Sequence, residues 1–120
     1  MVAAAKSATK ILIGNKFTNK ETIDLPNKKE SINVPVCSAA LLDRGKRSLA
    51  ICHCESGLPL DITRGLEIWA FIQFSKGSFQ SREIDKSGFP NWLDFYGGYG
   101  VGKFESSGQT CMSEFARDLL

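Results

Sequence analysis

Between Glu21 and Phe74 the apolar residues keep returning at every second position. A period of two commits a segment to a half-buried strand. Glu21–Leu25 sets Ile23 and Leu25 on one face and Thr22 and Asp24 on the other. Ser31–Val36 repeats the pattern, with Ile32, Val34 and Val36 turned inward. Pro26-Asn27-Lys28-Lys29 lies between them as a turn, so the two runs predict a hairpin. Pro35 has no N–H to give a ladder, which places the second strand at an edge or ends it there. Arg47–Cys54 alternates Leu49 and Ile51 against Ala50, Cys52 and Cys54. Glu67–Phe74 (EIWAFIQF) is the most apolar run and predicts a central strand with Trp69 in the core. Asn91–Tyr96 reads as a further strand, with a weak one near Phe79–Ile84. Ser38–Leu42 is ambiguous, and Asp43–Lys46 is a turn.

Helices are expected only at the two ends. Val2–Ile13 is rich in alanine, lacks proline and meets Gly14 where a capping glycine belongs. Ala4, Ala5, Ala8, Ile11 and Leu12 form one face at helical spacing, with Lys6 and Lys10 on the other. Ser113–Leu120 starts a second amphipathic helix, with Thr110 or Ser113 as its cap. The expected fold class is therefore α+β: a mixed, largely antiparallel sheet from 21–25, 31–36, 47–54, 67–74 and 91–96, with the first helix on one face. A chain of 120 residues is expected to form one domain, 1–120.

The totals exclude more than they suggest. A net charge of +2 and the lack of a basic stripe interleaved with aromatics argue against nucleic acid. No run of apolar residues is long enough to span a bilayer. Lys6 and Lys10 interrupt what could otherwise resemble a signal-peptide core, so a cytoplasmic location with reduced thiols is expected.

Leu93–Lys103 (LDFYGGYGVGK) packs Gly97, Gly98, Gly100 and Gly102 into six positions. Such a run serves either as a tight connection or as a concavity of backbone N–H groups for an anion. The spacing matches neither a dinucleotide fingerprint nor a P-loop. Lys103, followed by Ser106, Ser107 and Thr110, could add a cation to that loop or simply be solvated. Asp61-Ile62-Thr63-Arg64-Gly65 joins two apolar strands and offers a carboxylate, a hydroxyl and a guanidinium. Arginine suits bidentate carboxylate binding, and the alternative is a self-capped turn with Arg64 in solvent. Cys52-His53-Cys54 separates its cysteines by one residue on a strand, with His53 on the opposite face. Zinc pairs usually have about two to four residues between them, so these read as structural thiols and no metal is expected. His53 is the single histidine, which leaves a nucleophile elsewhere without an obvious base. Glu55, Asp61 and Glu67 flank one loop and read as solvated charges.

Three stretches, in order, carry a resemblance. MVAAAKSATKILIG resembles the alanine-rich first helix of the cobalt-precorrin-5B (carbon 1) methyltransferase family, the CbiD type. LPLDITRGLEIWA is similar to a family segment in which a loop ends in Asp-x-Thr before an apolar strand, which matches Asp61, Thr63 and Gly65. FYGGYGVGKF resembles the family's Gly-Gly-x-Gly-x-Gly loop at Gly97, Gly98, Gly100 and Gly102. Leu58 and Leu60 depart from the family pattern, where acidic or small residues are usual. Family members are several times longer, so the resemblance implies the N-terminal portion of such an enzyme. It implies S-adenosylmethionine-dependent methylation of a cobalt-corrinoid precursor in cobalamin biosynthesis. It makes Gly97, Gly98, Gly100 and Gly102 candidates for holding the methyl donor. Asp61, Thr63, Arg64 and Lys103 become candidates for substrate binding, with Arg64 and Lys103 as partners of its carboxylates and Asp61 also able to accept from the donor's amino group. The competing readings are a stand-alone anion- or nucleotide-binding module and an inactive remnant.

Overall fold

The computed structural model describes residues 1–26, 29–55, 62–75 and 93–120. Its elements run α1 (Val2–Leu12), β1 (Lys20–Asp24), β2 (Ser31–Pro35), β3 (Ser38–Leu42), β4 (Arg47–His53), β5 (Glu67–Gln73) and α2 (Glu114–Asp118). The fold is α+β. β1 and β2 form an antiparallel two-stranded sheet, and β3-β4-β5 form an antiparallel three-stranded one. The chain divides into two compact units, Met1–Ser75 with Leu119–Leu120 and Lys76–Asp118.

In the first unit, α1 is built for close approach. Ala3, Ala4, Ser7 and Ala8 are buried along one stripe, continued by Ile11 and Leu12. The facing strand is equally small: Ser48, Ala50 and Cys52 of β4 are buried. The Ser48 hydroxyl reaches the helix main chain and donates to the Ala8 carbonyl at 2.7 Å. Ile23, Val36 and Ala50 complete the core with the helix alanines. The helix ends as its glycine predicts. Gly14 has φ of +90°, and the Gly14 and Asn15 N–H groups donate back to Ile11 and Lys10. That pairing is a Schellman motif, which satisfies carbonyls the helix would otherwise leave bare.

The lysine face of α1 is engaged with β1. Lys6 Nζ donates to the Thr22 carbonyl at 2.7 Å, and Lys10 Nζ lies 2.6 Å from Glu21 Oε2. Glu21 is 1% exposed, so Lys10 partners a buried charge, while Glu21 Oε1 has no hydrogen-bond partner.

Several expectations change. Ser38–Leu42 is a strand, paired along its length with β4. Its partner supplies the ladder that the sequence SAALL does not announce. Leu93–Tyr96 carries no strand, and Asn91 lies outside the described residues, as do Trp92, the run 79–84 and Asp61. Trp69 is 54% exposed and Phe71 60%, because β5 turns Ile68, Ala70 and Ile72 toward the helix side. Ile32 is also exposed, on a strand whose sheet has only one partner. Pro35 closes β2, as its missing donor requires. Among the described residues no helix is long and apolar enough to cross a membrane.

Candidate functional site

The glycine run in the second unit is folded by its main chain. The Val101 N–H donates to the Gly98 carbonyl at 3.2 Å, closing a turn with Tyr99 and Gly100 at its corner. Gly100 has φ of +85°, the left-handed value that such a corner demands and that side chains resist. Beyond it the chain doubles back. Lys103 bridges Thr110, Phe104 N–H donates to Gln109, and Cys111 N–H donates to Gly102. Gly97 lies against that return. A Cβ there would stand 2.5 Å from Thr110 Oγ1 and 3.2 Å from its Cγ2, so only glycine allows the approach. Gly98 and Gly102 face no such constraint: the first meets open space and the second ordinary contact with Cys111.

The doubled chain encloses an open cleft of ≈ 290 Å³. Its wall includes Phe95, Tyr96, Gly97, Lys103, Thr110 and Arg117. Ser113 caps α2, its hydroxyl accepting from Ala116 N–H at 3.2 Å, and this fixes the helix that carries Arg117. Arg117 Nε is buried and has no hydrogen-bond partner. A guanidinium N–H out of water and unpaired is costly, and the same side chain lines the cleft. Lys103 adds a second cation on the same wall, so the cleft suits a carboxylate or other small anion.

The structure therefore brings Gly97 and Lys103 of the sequence candidates to one cleft. Gly100 shapes the turn beside it, and Gly98 and Gly102 do not line it. Arg117 was not among the candidates; in the sequence it reads as the polar face of a short amphipathic helix. Thr63 and Arg64 belong to the first unit, in a turn closed by Leu66 N–H donating to Thr63 at 3.1 Å. Gly65 takes φ of +80° there, Thr63 Oγ1 lies 3.4 Å from Cys54 Sγ, and Arg64 is exposed. Asp61, the third candidate of that loop, lies outside the described residues. Cys52 is buried and His53 exposed, the opposed faces that strand alternation predicts. Burial pushes the Cys52 thiol above its ordinary value. Among the described residues no group of three or more His, Cys, Asp or Glu is placed to hold a metal ion.

Comparison with known proteins agrees along almost the whole chain. The CbiD family model matches residues 1–116. The chain is 72% identical over 120 residues to the "Cobalt-precorrin-5B C(1)-methyltransferase" of Prochlorococcus marinus (strain NATL2A), covering all of this chain and 32% of that protein. The proteins of the same name from Prochlorococcus marinus (strain MIT 9313) and Synechococcus sp. (strain CC9902) are 41% and 38% identical, again over all of this chain and 30% of each of theirs. The chain thus spans about a third of the length of the curated relatives it matches. No solved structure matches it.

Proposed function

The chain belongs to the CbiD family, and from that premise we propose that it serves S-adenosylmethionine-dependent C(1)-methylation of cobalt-precorrin-5B in cobalamin biosynthesis. The observation that carries this reading is the family match over residues 1–116, with relatives that bear the methyltransferase name. A cytoplasmic setting and a small-molecule substrate, without nucleic acid, go with it.

The methyl donor supplies an activated methyl group; what this chain supplies is binding. Ligand pockets usually run from about 300 Å³ upward, so a cleft of ≈ 290 Å³ fits the carboxylate end of a ligand better than a whole cofactor. Arg117 lines the cleft and would offer its guanidinium charge to the anion, and Lys103 would share that charge. Gly97 keeps the loop against Thr110, so main chain rather than side chain borders the anion. The anion is the methionine carboxylate of the donor or a carboxylate of the corrinoid. In the first unit, the exposed Arg64 at the Thr63–Gly65 turn is offered as a separate carboxylate partner.

Calorimetric titration with S-adenosylmethionine and with S-adenosylhomocysteine tests the donor reading. Saturable binding to both, weakened in Arg117→Ala, is expected. Binding that Arg117→Ala leaves unchanged would remove the cleft from the donor site. A second reading, a small anion-binding module without methyl transfer, rests on the same two cations, Lys103 and Arg117, at the cleft. It predicts that inorganic phosphate binds as well as the nucleoside ligands.

A further inference from the structure

Antiparallel pairing gathers three chemically active residues at one end of the β3-β4-β5 sheet. Ser38 pairs with Ile51, and His53 pairs with Glu67, so the residue before β3 meets the end of β4 and the start of β5. Cys37 N–H donates to the Ile51 carbonyl at 2.8 Å, which fixes the backbone there. Cys37 Sγ then lies 3.6 Å from His53 Nδ1. On the other side of the ring, His53 Nε2 lies 3.9 Å from Glu67 Oε1. Glu67 is itself held, since its Oε2 accepts from Trp69 Nε1 at 2.9 Å. The order is thiol, imidazole, carboxylate, the sequence of roles by which a nucleophile is activated by a base that a third group orients.

From this geometry we infer that Cys37 is an activated thiol that undergoes thiol–disulfide exchange with small disulfides, with His53 as its base and Glu67 as a positioning residue. With the ring proton on Nε2, toward Glu67, Nδ1 is free to take the Cys37 proton. The imidazolium that results has the Glu67 carboxylate on its other side. The thiolate attacks one sulfur of the incoming disulfide, that S–S bond breaks and a new one forms to Cys37. The departing thiolate takes the proton from the imidazolium and leaves as a thiol. The incoming disulfide is the oxidant, and half of it is released reduced. This chemistry asks for a thiolate and access, and Cys37 is exposed. Acyl transfer would ask in addition for preorganised oxyanion donors.

Cys111 is an internal reference: it is also exposed, and residues 76–118 contain no histidine. The test is site-resolved labelling of the 120-residue chain with dithiobis(nitrobenzoic acid), followed by mass spectrometry. With His53 beside it to take the proton, Cys37 is expected to react at least about tenfold faster than Cys111. His53→Ala is expected to bring Cys37 to the rate of Cys111, with the rate recovered by added imidazole. Glu67→Gln, which keeps an oxygen for Trp69, lowers the Cys37 rate by a smaller factor and leaves Cys111 alone. Both side chains are about half exposed, so the variants fold, and circular dichroism checks that they do. Equal rates at the two cysteines, or a Cys37-to-Cys111 ratio untouched by His53→Ala, would overturn the assignment.

Discussion

The first unit is held by buried side chains, and the second by its own main chain. In the first, alanines of α1 meet the small face of β4, and a buried carboxylate is tied to the helix by Lys10. In the second, the described residues 93–118 carry one short helix and a doubled loop closed by backbone hydrogen bonds. Tyr96, Tyr99, Phe104 and Phe115 stay exposed there. Burial stabilises the first unit, whereas an exposed loop keeps its polar groups open to solvent and ligands. Lys103 and Arg117 at the cleft of the second unit mark that difference.

The largest effect is expected in the scaffold. Lys10→Ala leaves the buried Glu21 carboxylate with neither oxygen paired and costs about 3 kcal/mol, read as a lower urea midpoint. Lys10→Met combined with Glu21→Leu removes both charges and recovers most of that loss. The next effect belongs to the loop. Gly97→Val drives a side chain into Thr110, whose branched Cβ cannot turn both substituents away. Binding in the cleft falls by more than about tenfold, while the unfolding of the first unit moves by less than about 0.5 kcal/mol. Gly98→Val, which meets open space, leaves binding within about twofold. If both glycine variants lose binding alike, the contact with Thr110 is not what shapes the cleft. Arg117→Ala weakens binding by about tenfold, as loss of a charge-assisted hydrogen bond does, and exposed Lys103→Ala by only about two- to threefold.

The smallest effect is a pH dependence of the scaffold. Burial raises the Cys52 thiol above its ordinary value of 9.0. The unfolded chain therefore releases this proton first. The contribution is complete below 9.0 and is lost as pH climbs through that value toward the folded one. Urea titrations at increasing alkalinity should show a decline that Cys52→Ala lacks.

What the sequence disclosed follows from how local each signal is. The alanine stripe and Gly14 specify α1 and its cap within one segment, and the alternations at Ile23 and Ala50 specify β1 and β4. β3 was not legible, because SAALL becomes a strand only through its ladder with β4. That same register brings Cys37 to His53, so the pair was hidden with the strand. Trp69 was expected in the core on its apolarity, yet the small residues Ala50 and Ala70, paired across β4 and β5, take the face toward α1. At the glycine run the sequence marked Gly97 and Lys103, which line the cleft. Arg117 stayed unseen because it joins them only when residues 103–110 fold back.

The central proposal is that the cleft of the second unit takes the carboxylate of the methyl donor. Amide NMR of the labelled chain during titration with S-adenosylhomocysteine tests it most directly. The expected result is saturable shifts at residues 95–97, 103–110 and 117, with the α1 and β4 amides unmoved. Shifts confined to the first unit, or none in a chain whose dispersed spectrum shows it folded, would contradict the claim.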